Sequence, residues 1–148
     1  MAEGILKDRI KKKGLAGIRV ASAGTWGLDG EPAAKHAVGV CADRGIDLSE
    51  HVARSLSAEM IEESDLVLTM EMEHLQCVLD LAPDALAKTR LLSRYGSVQS
   101  LPDRPIRDPY GRPKQAYRAC FEEIEGHVDA LVDELLQEAE SEKARGKG

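Results

Sequence analysis

Between Ala2 and Lys13, Ile5, Leu6 and Ile10 recur at helical spacing and Gly14 supplies a stop, so the pattern predicts a first helix. That helix has no capping residue, loop or strand ahead of it. Ile18 to Ser22 reads as a short strand, closed by Ala23 and Gly24 and followed by a loop carrying Trp26, Gly27 and Gly30. Pro32 is placed to open a second helix, whose apolar positions Ala33, Ala37, Val40 and Cys41 run on until Gly45 ends it. Ser57 can cap a short helix through Ser64, and the apolar run from Asp65 to Met70 predicts a buried strand. A helix from Glu71 to Leu81 follows, ended by Ala82 and Pro83, and Lys88 to Leu92 reads as a third strand. Residues 93–107 hold Gly96, Pro102 and Pro105 with little periodicity, which predicts a long surface loop of the kind that often carries function.

The strongest periodic signal comes last. Tyr117, Cys120, Phe121, Ile124, Val128, Leu131, Val132, Leu135 and Leu136 form one apolar stripe, the mark of a long amphipathic helix. The polar tail over residues 140–148 is expected to fray, leaving one domain over 1–139. Helices alternating with short buried strands imply an α/β fold, a three-layer doubly wound parallel sheet with helices on both faces. Three strands for about five helices are too few, because such a sheet has only one strand paired on both sides. The expected gap is a first, central strand, and the unstarted first helix marks where it would stand.

Composition narrows the function. The 148 residues are 43% hydrophobic and 31% charged, which fits one folded core. One Trp, one Phe and three Tyr leave no platform for stacking bases. A formal charge of −6 disfavours nucleic acid and anionic membranes as partners. The charge is uneven: residues 1–20 are rich in Lys and Arg, whereas residues 121–142 hold nine acids and neither Lys nor Arg. No apolar run reaches the roughly 18 residues of a membrane span, and a secretory leader is not visible, so a cytoplasmic location is expected. Cys41, Cys77 and Cys120 are scattered and odd in number, which predicts reduced thiols.

Candidate chemistry is sparse. His36, His51, His74 and His127 are dispersed, and Glu71 with His74 makes a single carboxylate-x-x-His pair, so no metal site is expected. The glycines between Gly24 and Gly30 have the wrong spacing for a dinucleotide loop, and neither a Walker loop nor a Gly-x-Ser-x-Gly elbow occurs. Asp108-Pro109-Tyr110-Gly111 stands between the long loop and the last helix. It can be a plain turn, or it can hold a carboxyl beside an aromatic wall for use as a general acid.

Several short motifs occur in a telling order: Met1 to Gly4, Ser22 to Thr25, Gly30 to Pro32, His51 to Arg54, Ser64 to Met70 and Asp108 to Gly111. In that order the chain resembles the low-molecular-weight protein tyrosine phosphatases, from Met1 to about Glu138. The resemblance implies a four-stranded doubly wound sheet and a phosphatase without cofactor or metal, acting on phosphorylated proteins through a cysteinyl-phosphate intermediate. It assigns Asp108 as general acid, Tyr110 and Trp26 as walls of the substrate cleft, and Ser22 and His51 as members of the hydrogen-bond network under the phosphate loop. Gly111 stands where some relatives have a second Tyr, so phosphotyrosine and phosphoarginine are both compatible substrates.

One departure is decisive. The family places a Cys-x5-Arg loop between an N-terminal strand and the helix that opens with Met-Ala-Glu. Six residues beyond Cys41, Cys77 and Cys120 stand Asp47, Pro83 and Gly126, so no internal Cys can take over. A nucleophilic thiolate needs the N–H cradle, the helix N-terminus and the Arg fork of that loop. The expectation is therefore a chain whose loop is encoded before Met1, inactive as it stands and forming a monomer or a weak dimer that covers the gap. The alternative is a phosphatase-like binding protein without catalysis; an arsenate reductase-like enzyme is disfavoured, because no Cys pair lies close together in sequence to relay a disulfide.

Overall fold

The computed structural model describes residues 1–96 and 104–147. The elements are α1 (Ala2–Lys12), α2 (Lys35–Ala42), α3 (Ala58–Glu62), β1 (Val67–Thr69), α4 (Met72–Leu81), β2 (Thr89–Leu91) and α5 (Lys114–Arg145). Two 3₁₀ turns, Pro83–Lys88 and Leu92–Arg94, flank β2. β1 and β2 pair in parallel, with Val67 opposite Thr89 and Thr69 opposite Leu91. Parallel neighbours need a crossover, and α4 with its following turn provides it.

Successive side chains of β1 point to opposite faces, and this separates two layers. Leu68 packs on the main core, built from Ile5 and Ile10 of α1, Val40 and Cys41 of α2, and Phe121, Ile124, Val128 and Val132 of α5. Val67 packs on a smaller cluster of Ile61, Val78 and Ala85 beneath α3 and α4. The helices thus lie on both sides of the parallel pair, as the alternation of elements predicts. Ion pairs reinforce the larger layer: Arg9 Nε donates to Asp129 at 2.8 Å, and Arg9 also pairs with Glu125. Across the other layer Lys88 Nζ donates to the carbonyls of Ile61 and Ser64 at 2.6 and 2.7 Å, satisfying the end of α3.

The structure corrects several expectations. Ile18–Ser22 is not a strand: among the described residues it pairs with no neighbour, although Arg54 Nε donates to the Ser22 carbonyl at 3.0 Å. A strand exists only through its ladder, and β1 is laddered to β2 alone. The second helix begins at Lys35, not at Pro32, because Pro32 is bridged antiparallel to Val52 and Ala53 N–H donates to Glu31 at 2.8 Å. The helix capped by Ser57, whose hydroxyl accepts from Met60 N–H, ends at Glu62, two residues short of Ser64. At the other terminus α5 continues to Arg145, past the limit expected at residue 139, because Ala139, Lys143, Ala144 and Arg145 are good helix formers. The predicted loop at 93–107 falls partly outside the described residues; of the rest, Leu92–Arg94 is a 3₁₀ turn.

Phe121 is fully buried, and the Arg44 guanidinium lies 5.1 Å from its ring centre. Replacing it with Ala should cost about 3–5 kcal/mol, read as a lower urea midpoint at unchanged slope. A loss below about 1 kcal/mol would mean that the α1–α2–α5 layer does not pack as described.

Candidate active site

In a parallel sheet, ligands gather at the carboxyl ends of the strands. Met70 follows β1 directly, and its carbonyl accepts from Ile106 N–H at 2.9 Å, which ties the returning loop to that end. From there burial sets the direction of each side chain. Ile106 and Pro109 are buried, whereas Arg104, Arg107, Asp108 and Tyr110 are exposed. Asp108 Oδ1 accepts from Tyr110 N–H at 2.9 Å, and Arg112 N–H donates to the Pro109 carbonyl at 3.0 Å. Gly111 closes this turn at a φ of 76°, in the left-handed region where a Cβ would be strained. The turn and the candidate acid are therefore the same structure: the carboxylate that closes the turn also faces solvent.

A second group forms where α1 begins. Glu3, in the first helical turn, accepts from Lys7 Nζ at Oε1 and from the Ser22 hydroxyl at Oε2, and His51 Nδ1 lies 3.8 Å from that same Oε2. Burial of Glu3 favours its neutral form. The bonds from Lys7 and Ser22, with the nearby His51, outweigh this and hold the carboxyl below its usual value of 4.5. These residues, with Arg54, line a groove of about 420 Å³. A larger hollow of about 620 Å³ lies along α5 between Glu134 and Arg145, but its walls are side chains of one helix and no groups converge there.

Ser22 and His51 are thus brought together, and the residue that joins them is Glu3. Sequence reasoning used Glu3 only as a letter of the Met-Ala-Glu motif. An acid in the first turn of a helix was its visible signal, since that position already suits a negative charge. Asp108 and Tyr110 are joined by their turn. Trp26 is 84% exposed on a loop fixed from below, where Asp29 accepts from Ser55 N–H at 2.5 Å and from its hydroxyl at 2.8 Å. It shares no ring contact with Tyr110 among the described residues; the ring pair near the turn is instead His36 with Tyr117, 5.5 Å apart.

Cys41 and Cys120 are poorly placed to act as nucleophiles. Cys41 and Cys120 are buried, and burial raises both thiols, Cys120 to about 11 with help from Glu123 and Asp108. Thiolate chemistry at neutral pH needs the opposite shift. Among the described residues, no group of three or more His, Cys, Asp or Glu side chains is arranged to hold a metal ion, and no helix is long and apolar enough to cross a membrane.

The fold is of the layered α/β class with a parallel strand pair, and comparison with known proteins makes the family specific. The family model for low molecular weight phosphotyrosine protein phosphatase matches residues 1–142. The low molecular weight protein-tyrosine-phosphatase Etp of Escherichia coli K12 is 36% identical over 131 residues, which are 88% of this chain and 80% of that protein. A protein-arginine-phosphatase of Geobacillus stearothermophilus is 33% identical over 129 residues, 87% of this chain and 84% of that one. Among solved structures, the YwlE arginine phosphatase, as a cysteine-to-serine variant with a phosphorylated active-site serine, superposes with a TM-score of 0.83 at 29% identity. That match covers 90% of this chain and 85% of the other. The chain belongs to the low molecular weight phosphotyrosine protein phosphatase family.

The Glu3 cluster yields a pH test. Because the folded carboxyl titrates below its unfolded value, its contribution to stability is present above about pH 4.5 and is lost as pH falls through the lower folded value. Glu3→Gln should therefore destabilise the protein by about 1 kcal/mol at pH 7 and by nothing measurable at strongly acid pH. Urea unfolding of both proteins across pH 2–7 checks this, and a gap that persists unchanged into acid would contradict the assignment.

Proposed function

We propose that this chain carries the scaffold and the general acid of a cytoplasmic protein phosphatase. Its substrates are phosphotyrosine or phosphoarginine side chains, and its nucleophile loop, of the Cys-x5-Arg type, is encoded ahead of Met1. The observation that carries this reading is the position of Asp108, exposed on a turn bonded to the carboxyl end of β1. The high thiol values of Cys41 and Cys120 support a nucleophile from outside residues 1–148. A relative whose substituted active-site serine is phosphorylated supports a covalent phosphoryl acceptor at that place.

The chemistry divides into two steps. The thiolate attacks phosphorus and the bond from phosphorus to the leaving oxygen or nitrogen breaks, while Asp108 gives its proton to the departing atom. Water then attacks the phosphocysteine, Asp108 takes a proton from it, and the P–S bond breaks to release phosphate and thiolate. The first turn of α1 points its free N–H groups toward the phosphate, whose loop rests on Ser22, His51 and Glu3. Tyr110 and Trp26 form the walls that receive the substrate side chain. Gly111 leaves room beside Tyr110, so the cleft admits either a phenol or a guanidine.

The test is turnover of a phosphotyrosine peptide by the chain extended with its upstream segment. Asp108→Asn keeps the acceptor that closes the turn but removes the proton, and kcat should fall roughly 10²–10⁴-fold. An unchanged kcat would overturn the role of Asp108, and no turnover by the extended chain would leave a binding protein as the better account.

A further inference from the structure

The turn that presents Asp108 also gathers positive charge. Residues 104–118 contain Arg104, Arg107, Arg112, Lys114 and Arg118 against one acid, Asp108, in a chain whose formal charge is −6. Lys114 Nζ is engaged by Asp43 at 3.2 Å. Arg104, Arg107, Arg112 and Arg118 are exposed and make no ion pair among the described residues. Ile106 and Pro109 are buried, whereas Arg104 and Arg107 before Asp108 and Arg112 after it are exposed, and the bond from Arg112 N–H to the Pro109 carbonyl holds the Arg112 backbone in the same turn.

Exposed guanidinium groups without a carboxylate partner make a local positive field in a protein of acidic balance, and such a field attracts anions. A phosphoryl group bound beneath the turn would leave these arginines at the rim, level with the residues that flank the phosphorylated side chain. We propose that this rim selects phosphoprotein segments with Asp or Glu beside the phosphorylated residue. The proposal rests on the phosphatase reading for its orientation and names the substrate class of that same site. Rim charges act mainly on encounter and on discrimination, they favour acidic flanks over neutral or basic ones, and their effect falls as salt rises. The nine acids of residues 121–142 and the net charge repel such segments elsewhere, so the preference is local to the cleft mouth.

The experiment uses the 148-residue protein and fluorescence anisotropy with two labelled, unphosphorylated nonapeptides, one with a Tyr flanked by Asp and Glu, the other with Gln and Ser in those places. At low salt the acidic peptide should bind about tenfold more tightly, an advantage that shrinks severalfold by physiological ionic strength. Arg104→Glu with Arg112→Glu should abolish the difference, whereas Lys143→Glu at the far end of α5 should preserve it. The salt titration of the unaltered protein stands even if the double variant folds poorly. Equal affinity for the two peptides overturns the proposal, as does competition by an oligothymidylate of the same charge that matches the acidic peptide. Because neither peptide carries phosphate, failure here is distinct from failure of the Asp108 turnover test, which leaves the flanking preference untouched.

Discussion

Ile5 and Ile10 bury one face of α1 in the core shared with Phe121, Ile124 and Val128 of α5, and Arg9 locks the same helix to Asp129 and Glu125. Apolar burial alone would let a short helix slide or rotate, since it is non-directional. The directed bonds of Arg9 fix its axial position. Only with α1 held there does its first turn deliver the Glu3 carboxylate to Ser22 and His51. Gly4 belongs to the same seating, for a Cβ at this position would lie 2.7 Å from Leu48 Cδ2 and 3.1 Å from Ile46 Cγ2. The site is therefore a consequence of how one helix rests on another, and the polar cluster is assembled from segments nearly fifty residues apart.

The acid arrives by a separate route. β1 ends at Thr69, Met70 holds Ile106, and the loop then buries Ile106 and Pro109 while exposing Arg107, Asp108 and Tyr110. A strand end positions the Asp108 turn, while the helix layer positions the Glu3 cluster. The proposed phosphoryl transfer would draw on both, because it relies on placing groups around a moving charge. The arginines beside Asp108 place exposed positive charge on the same segment, which is the basis of the proposed preference for acidic flanks.

Much of this was legible in the chain. The stripes of α1 and α5 were visible because burial on one face imposes a 3.6-residue period, and β1 was visible as a short apolar run between turn signals. Ile18–Ser22 misled because its composition suits a strand but its state depends on a neighbour. Pro32 suits the start of a helix, yet tertiary pairing with Val52 used it first. The Asp108 turn could be recognised locally, since the bond to Tyr110 spans two residues. Glu3 as a hub and Arg9 as a lock could not, for Ser22 stands 19 residues from Glu3 and Asp129 stands 120 residues from Arg9. Ser22, His51 and Asp108 received their roles from family resemblance, which ordered motifs support and periodicity does not.

The proposed phosphatase reading takes its phosphate loop from a segment ahead of α1, and sequencing the coding DNA upstream of Met1 tests that most directly. It predicts an in-frame segment of roughly 15–20 residues, one apolar strand followed by Cys-x5-Arg. A stop codon reached with nothing of that kind before it would contradict the proposed reading.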